Sequence, residues 1–399
     1  MGIKIGVLGA GHFGRAFIPL FQAHPDVDEV CIAEAFSERR AEQAQRFGIT
    51  RSFASLDELC ASDVDAIAIF TQRWLHGPQA VQALKAGKHV YSAVPAAVTL
   101  EEVAALVEAV KTTGLTYMQG ETSYYYPSTL YCRERFAHGD FGAFVYGEAE
   151  YLHDMSHGFY EAYQHSGGDD WKKTASFPPM LYPTHSTSMI LSVTGARMTS
   201  VSCLGYVDTS DDGVFRADVS AWGNTFSNET ALFRTSDGGM CRINEFRRVG
   251  LSGGTSVRMS LYGTEGSYEE QTNARVWNTR DPKEMTDVSG LLATKGHRIS
   301  DTERASTPEA LLEDFYKGVS AVHPVDRLPR EFIGLSNGHE GSHQFLVLDF
   351  VEAVVRGAVP PNNVWAAARY CVPGIVAHQS AQRDGETISI PDFGDSPHR

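Results

Sequence analysis

Three glycines near the start of the chain have a spacing that suits one kind of chemistry. Gly9, Gly11 and Gly14 read G-x-G-x-x-G, with His12 and Phe13 inside the loop. The first glycine permits a tight turn, and the second lets the backbone approach a pyrophosphate. The third lets the next helix pack close, its N-terminal N–H groups turned to the anion. The triplet follows an apolar run and precedes a helical one, which is the setting that gives it meaning. Glu34 lies 20 residues beyond Gly14. A carboxylate there accepts hydrogen bonds from ribose hydroxyls and repels a 2′-phosphate, so NAD is expected over NADP. Arg39 and Arg40 lie close enough to complicate that preference. None of the 15 histidines forms a metal-ligand arrangement with a nearby carboxylate, so no metal is expected.

A fold must place that loop. Ile3–Leu8 is a continuous apolar run, as expected of a strand buried on both faces. Helical character over Arg15–Ala23 follows, then strands at Val30–Ala33, Ala66–Phe70, His89–Ser92 and Thr116–Gln119. Between them helices are expected over Ser37–Phe47, Pro78–Ala86 and Thr99–Thr113, the first two stopped by Gly48 and Gly87. This alternation implies a doubly wound parallel sheet, an N-terminal Rossmann domain over residues 1–123.

From residue 124 to 399 the texture becomes that of an α+β domain with a large open, mostly antiparallel sheet. Strands are expected at Val145–His153, Val201–Val207, Val219–Phe226, Met240–Phe246 and Val257–Tyr262. Phe345–Arg356 has helical periodicity, and Val364–Ala381 reads as a helix that Pro373-Gly374 should kink or break. Thr272–Thr307 is polar and loop-like.

The chain has 399 residues, which suggests two domains at about 150 residues each. Its formal charge is 34 − 49 = −15, the opposite of what a phosphate-backbone or anionic-lipid binder needs. Neither nucleic acid nor membrane is an expected partner; runs such as Val64–Phe70 are far too short to span a bilayer. No secretory signal is visible at the N-terminus. The six cysteines are scattered, fitting neither a zinc site nor a disulfide framework, and they suit a reducing cytoplasm.

Several segments together resemble the Gfo/Idh/MocA oxidoreductase family: Gly9–Gly14, Thr71-Gln72-Arg73-Trp74-Leu75-His76, Ala86-Gly87-Lys88-His89-Val90, Pro95, and the closing Ile388–Phe393. The resemblance implies a sugar or cyclitol substrate, a Rossmann domain followed by an open-sheet domain, and Thr71, His76 and Pro95 near the cofactor. It also implies a homo-oligomer, dimer or tetramer, formed through the open sheet face. Most members carry Glu-Lys-Pro where this chain reads Ala93-Val94-Pro95. The lysine that assists removal of the hydroxyl proton is missing, so another base or different chemistry is required.

Val94–Thr99, Met118–Glu121, Glu150–Asp154 and Leu181–His185 are similar to an NAD-dependent glycoside hydrolase subgroup of the superfamily, typified by α-N-acetylgalactosaminidase. Ala93 departs from that subgroup's glutamate, and Ser186 from its common glycine. The resemblance implies hydrolysis with no net redox change: transient oxidation at C3, loss of the C2 proton, departure of the C1 group, addition of water and re-reduction. It assigns His185 to the C3 hydroxyl proton and Tyr182 to C2 or leaving-group chemistry. A structural histidine and a core tyrosine are the other reading of this pair. Glu121 would hold the nicotinamide ribose or the sugar, or be a solvated loop carboxylate. Tyr151, His153 and Asp154 would bind sugar hydroxyls or form a structural cluster. Trp171 offers a flat face for a pyranose, or for core packing. The competing functions are a conventional NAD(P)-dependent sugar or cyclitol dehydrogenase and a dinucleotide-binding protein without turnover.

Overall fold

The computed structural model describes residues 2–251, 256–294 and 318–397. Two sheets organise it, one of six strands and one of nine.

The six-stranded sheet is wholly parallel, in the order β3-β2-β1-β4-β5-β6. Its strands are β1 (Ile3–Leu8), β2 (Val27–Ala33), β3 (Ser52–Phe53), β4 (Ala66–Ile69), β5 (His89–Ser92) and β6 (Tyr117–Gln119). β4 is wholly buried and purely apolar, while β1 and β5 are buried from Ile5 and Val90 onward. The crossovers carry α1 (Ile18–Ala23), α2 (Ser37–Phe47), α3 (Leu56–Ala61), α4 (His76–Lys85) and α5 (Leu100–Thr113). Thr99 caps α5 by accepting from Glu102 N, and Gly114 ends it at φ 66°. β3 and α3 were not foreseen, because a two-residue edge strand and a six-residue helix carry too little periodicity.

The nine-stranded sheet has β7 (Phe144–Leu152), β8 (Met198–Val207), β9 (Phe226–Thr235), β10 (Met240–Phe246), β11 (Val257–Gly263), β12 (Gly266–Glu270), β13 (Arg275–Thr279), β14 (Thr286–Asp287) and β15 (Ile388–Ser389). All pairs are antiparallel except β10 with β7. The expected strand at Val219–Phe226 is corrected: residues 219–225 form turns, and β9 starts at Phe226. Asn224 Oδ1 accepts from Phe226 N at 3.0 Å, so local turn chemistry defeats the apolar pattern. The stretch from Thr272 is also not all loop. β13 pairs with β12, and Trp277 packs on Phe141 with ring centroids 4.9 Å apart. Residues 295–307 of that stretch lie outside the described residues.

The chain forms two compact units: residues 1–130, 291–368 and 393–399, and residues 131–290 and 369–392. A single cut at 123/124 therefore misses a return of the chain. The helix His343–Arg356 packs on the parallel sheet, with Phe345, Val347, Phe350 and Val351 sharing one core with Ile5, Val7, Ala66 and Tyr91. Tyr125 stacks on Phe345 at 5.0 Å and donates to Asp349, so it belongs to this core, with Tyr124 packed against it.

Val364–Ala381 is one continuous helix across Pro373, so the proline does not break it. Its neighbour Gly374 lies so close to the Met180 carbonyl that a Cβ would come within 2.1 Å of that oxygen. Tight packing along this face keeps the backbone helical where the proline alone would bend it.

Candidate active site

In the first unit, β1 delivers the glycine loop and β2 delivers the acid. Gly9 has φ 89°, and a Cβ there would lie 2.9 Å from Phe70 O. A Cβ at Gly14 would be 2.2 Å from Gly9 O, so that position admits only glycine. Nothing lies within 4 Å of the Cβ direction at Gly11, which leaves the space a pyrophosphate needs. Glu34 is 6% exposed, and its carboxylate accepts from Ala10 N at 3.3 Å and Phe36 N at 3.2 Å. Arg39 stands 3.7 Å from the same carboxylate, and Arg40 donates to Glu34 O at 2.7 Å. These residues fit a dinucleotide: an open loop, a cradle closed to side chains and an acid against the loop.

The other cofactor candidates divide by role. His12 is exposed, with its Nδ1 2.7 Å from Arg15 Nη2. Phe13 turns its ring into the protein, 5.1 Å from Phe17 and 5.3 Å from His339, so only its backbone remains for a ligand. His76 is buried, its ring nitrogens 2.9 Å from Pro95 O and 3.1 Å from Thr71 O. Burial drives its pKa down to about 4 against the pull of those two carbonyls. The imidazole thus pins the β4 loop to the β5 loop, where the Val94–Pro95 peptide is cis. Thr71 Oγ1 donates to Gln79 Oε1 at 2.5 Å. Glu121 is fully buried, not a solvated loop carboxylate; it accepts from Ser123 N at 3.0 Å and Ser123 Oγ at 2.9 Å.

In the second unit, Tyr151, Tyr182 and His185 come together. Tyr151 ends β7, Tyr182 precedes the helix α9 (Thr184–Thr194), and His185 sits in the first turn of that helix. His185 lies edge-on to Tyr151 and to Tyr182, each at 5.3 Å between ring centroids, and the two tyrosines are 6.0 Å apart. Tyr182 remains half-buried while His185 is 5% exposed. His153 is 5.6 Å from Tyr151 and stacks on Phe159 at 4.1 Å.

Two sequence candidates lie elsewhere. Asp154 accepts from Ser156 N, Ser156 Oγ and Val249 N at 3.0, 2.7 and 2.8 Å, so both its oxygens hold a turn. Burial works to raise its pKa, but those hydrogen bonds outweigh it and hold the group below its ordinary range. Trp171 packs edge-on to Tyr160 at 5.8 Å, in a cluster with Arg248 and Asp212.

Sequence reading missed Glu245 and Arg247. Glu245 is fully buried and accepts from Ser186 Oγ at 2.5 Å and from Arg247 Nη2 at 3.0 Å. Arg247 also donates to Tyr151 O at 3.2 Å and lies over the Tyr151 ring at 4.7 Å. Burial raises the Glu245 carboxyl to about 7, with Arg247, Ser186 and the His185 charge opposing. A signal existed: Cys241, Ile243 and Glu245 alternate on the buried face of β10, and a carboxylate in that register is out of place in an apolar core.

The segment His339-Glu340-Gly341-Ser342-His343 packs against the glycine loop. His339 Nδ1 and His343 Nε2 are 2.8 Å apart, and His343 lies 5.6 Å from Phe13.

A glycine loop at the first crossover of a 3-2-1-4-5-6 parallel sheet, with an acid ending the second strand, defines an NAD-dependent enzyme of the oxidoreductase fold class. Residues 3–121 match GFO_IDH_MocA, described as an oxidoreductase family with an NAD-binding Rossmann fold. The chain is thus similar to that family over residues 3–121 and, over nearly its whole length, to proteins of glycosyl hydrolase family 109. It is 26% identical over 416 residues to a "Glycosyl hydrolase family 109 protein" of Streptomyces niveus, covering 98% of this chain and 77% of that protein. Among solved structures it is similar to an oxidoreductase domain protein from Kribbella flavida, with TM-score 0.73 and 19% identity over 98% of this chain and 100% of the other. A levoglucosan dehydrogenase in complex with NADH and levoglucosan gives TM-score 0.74 and 19% identity, with the same two coverages. Among the described residues no helix is long and apolar enough to cross a membrane.

Proposed function

We propose that the protein hydrolyses a glycoside by transient oxidation at C3 of the sugar, with elimination and addition of water and no net redox change. The meeting of Tyr151, Tyr182 and His185 in one aromatic cluster carries this reading. Val94 provides no proton acceptor where most superfamily members have lysine, so the base must come from elsewhere. When bound, NAD would accept a hydride from the sugar and give it back. His185 takes the C3 hydroxyl proton, since an imidazole nitrogen can serve as a general base. Tyr182, which is not fully buried, acts on the C2 proton or on the leaving group. Glu34 and the glycine loop hold the adenosine and pyrophosphate, with NAD preferred over NADP because Glu34 would meet a 2′-phosphate with like charge. The relatives of family 109 and the NADH-binding sugar dehydrogenase of the same fold support a carbohydrate substrate. The outer face of the nine-stranded sheet leaves Leu204, Leu232 and Met240 more than half or about half exposed, and a second copy of the chain is proposed to cover it.

The test is turnover of aryl glycosides in the presence of NAD, following released phenol and NADH together. Phenol release without NADH accumulation, and C2 deuterium incorporation in D₂O, are expected. NADH rising one-for-one with product would make the protein a conventional dehydrogenase. His185→Ala should slow turnover by about a hundredfold or more; wild-type rates would remove His185 from the chemistry.

A further inference from the structure

Two buried carboxylates lie side by side beneath the segment that carries Tyr182 and His185. Glu229 on β9 and Glu245 on β10 are direct register partners, so their side chains share one face of the sheet. Both are fully buried. Two carboxylates so placed repel each other and lose hydration, and apolar residues of similar volume would commonly be no less stable. Each instead has a basic side chain as partner and a second hydrogen bond. Glu229 Oε1 lies 2.8 Å from His378 Nδ1, while its Oε2 accepts from Met180 N at 2.8 Å. Glu245 faces Arg247 at 3.0 Å and accepts from Ser186 Oγ at 2.5 Å. The second bonds fall on the two ends of one short stretch, Met180–Ser186. From the other side Gly374 presses on Met180 and Pro183, and Thr187 Oγ1 donates to Tyr370 O at 2.7 Å.

We propose that Glu229 and Glu245 are positioning residues that clamp Met180–Ser186 at both ends, fixing the phenol of Tyr182 and the imidazole of His185 in one mutual orientation. His378 and Arg247 each hold one of the two carboxylates in place. This rests on the proposed proton-handling role of Tyr182 and His185. Ser186 supplies the grip at the helical end, which a glycine at that position could not.

The test uses the full chain with Ser186→Ala, Glu229→Ala and the conservative Glu229→Gln, read by hydrogen–deuterium exchange and by kinetics on a 4-nitrophenyl glycoside with NAD. Exchange in the peptide covering residues 180–187 should rise at least tenfold in Ser186→Ala and Glu229→Ala, and less in Glu229→Gln, which keeps an acceptor for Met180 N. The peptide covering Ile3–Leu8 should stay as in the wild type, reporting an intact fold elsewhere. The turnover number should fall at least tenfold with KM within twofold, a split that general loosening of the protein would not give. Exchange of 180–187 within twofold of wild type in folded Ser186→Ala would overturn the clamp, and so would a loss confined to KM. Ser186→Ala deletes a single hydroxyl, so it keeps the test open if the glutamate variants fail to fold. Absence of turnover by the wild type would sink the proposed function instead, and exchange alone would then decide whether the clamp exists.

Discussion

Glu245→Gln should change how the stability of the second unit depends on pH. The ordinary carboxyl titrates near 4.5, and burial lifts Glu245 to about 7. A group whose folded pKa is raised binds its proton more tightly in the native state. Its stabilising contribution is therefore complete below about 4.5, declines through the interval, and is gone above about 7. The difference of roughly 2.5 pH units corresponds to about 3 kcal/mol at 1.36 kcal/mol per unit. This runs opposite to most paired carboxylates, which lose stability on acidification. The groups facing Glu245 are Arg247 on its own strand, Ser186 and His185 on α9, Glu229 on β9 and Tyr151 on β7. Glutamine keeps an acceptor for Ser186 but cannot titrate, and its weaker hold on Arg247 adds an offset that does not vary across this range. Opening free energies from hydrogen exchange of the Met240–Phe246 peptide at pH 5 and pH 8, in wild type and variant, isolate the effect. The wild type should lose about 3 kcal/mol more than the variant between those conditions. Equal slopes, or a wild type that gains relative to the variant at pH 8, would refute the reasoning.

Three further outcomes follow from the first unit. Gly14→Ala puts a methyl 2.2 Å from Gly9 O, so NAD binding measured by calorimetry should be lost while the Met240–Phe246 peptide keeps its exchange protection. Glu34→Ser should release Arg39, now 3.7 Å from the carboxylate, and tighten NADP binding by about tenfold to a hundredfold, the range of one hydrogen bond to a charged group. Thr99→Ala removes the cap that accepts from Glu102 N and should destabilise α5 by about 1 kcal/mol, visible as faster exchange in the peptide covering Leu100–Thr113.

Much of the first sheet was legible because its signals are local. β1, α2 and β5 have the ends expected of them, since apolar runs, a glycine stop and β-branched residues act within a few positions. Val219–Phe226 misled for the same reason in reverse: its apolar pattern was local, but Asn224 and Gly223 turned the chain before the strand could start. Tyr151, Tyr182 and His185 were legible only through a resemblance. Their meeting was not, because Tyr151 lies on β7 and the others follow it by some thirty residues at α9. Asp154 was legible only as either a sugar contact or part of a structural cluster, and its hydrogen bonds to Ser156 and Val249 favour the second.

The sequence by itself determined the nucleotide loop, its acid and the alternation that builds a parallel sheet, because each depends on backbone conformation and burial over a few neighbouring residues. Only the tertiary structure decided that His343–Arg356 returns to the first core and that Glu229 and Glu245 lie together under Met180–Ser186. Those pairings join residues far apart in the chain, and the free energy of a buried charge is set by the partners that folding brings to it rather than by its neighbours in sequence.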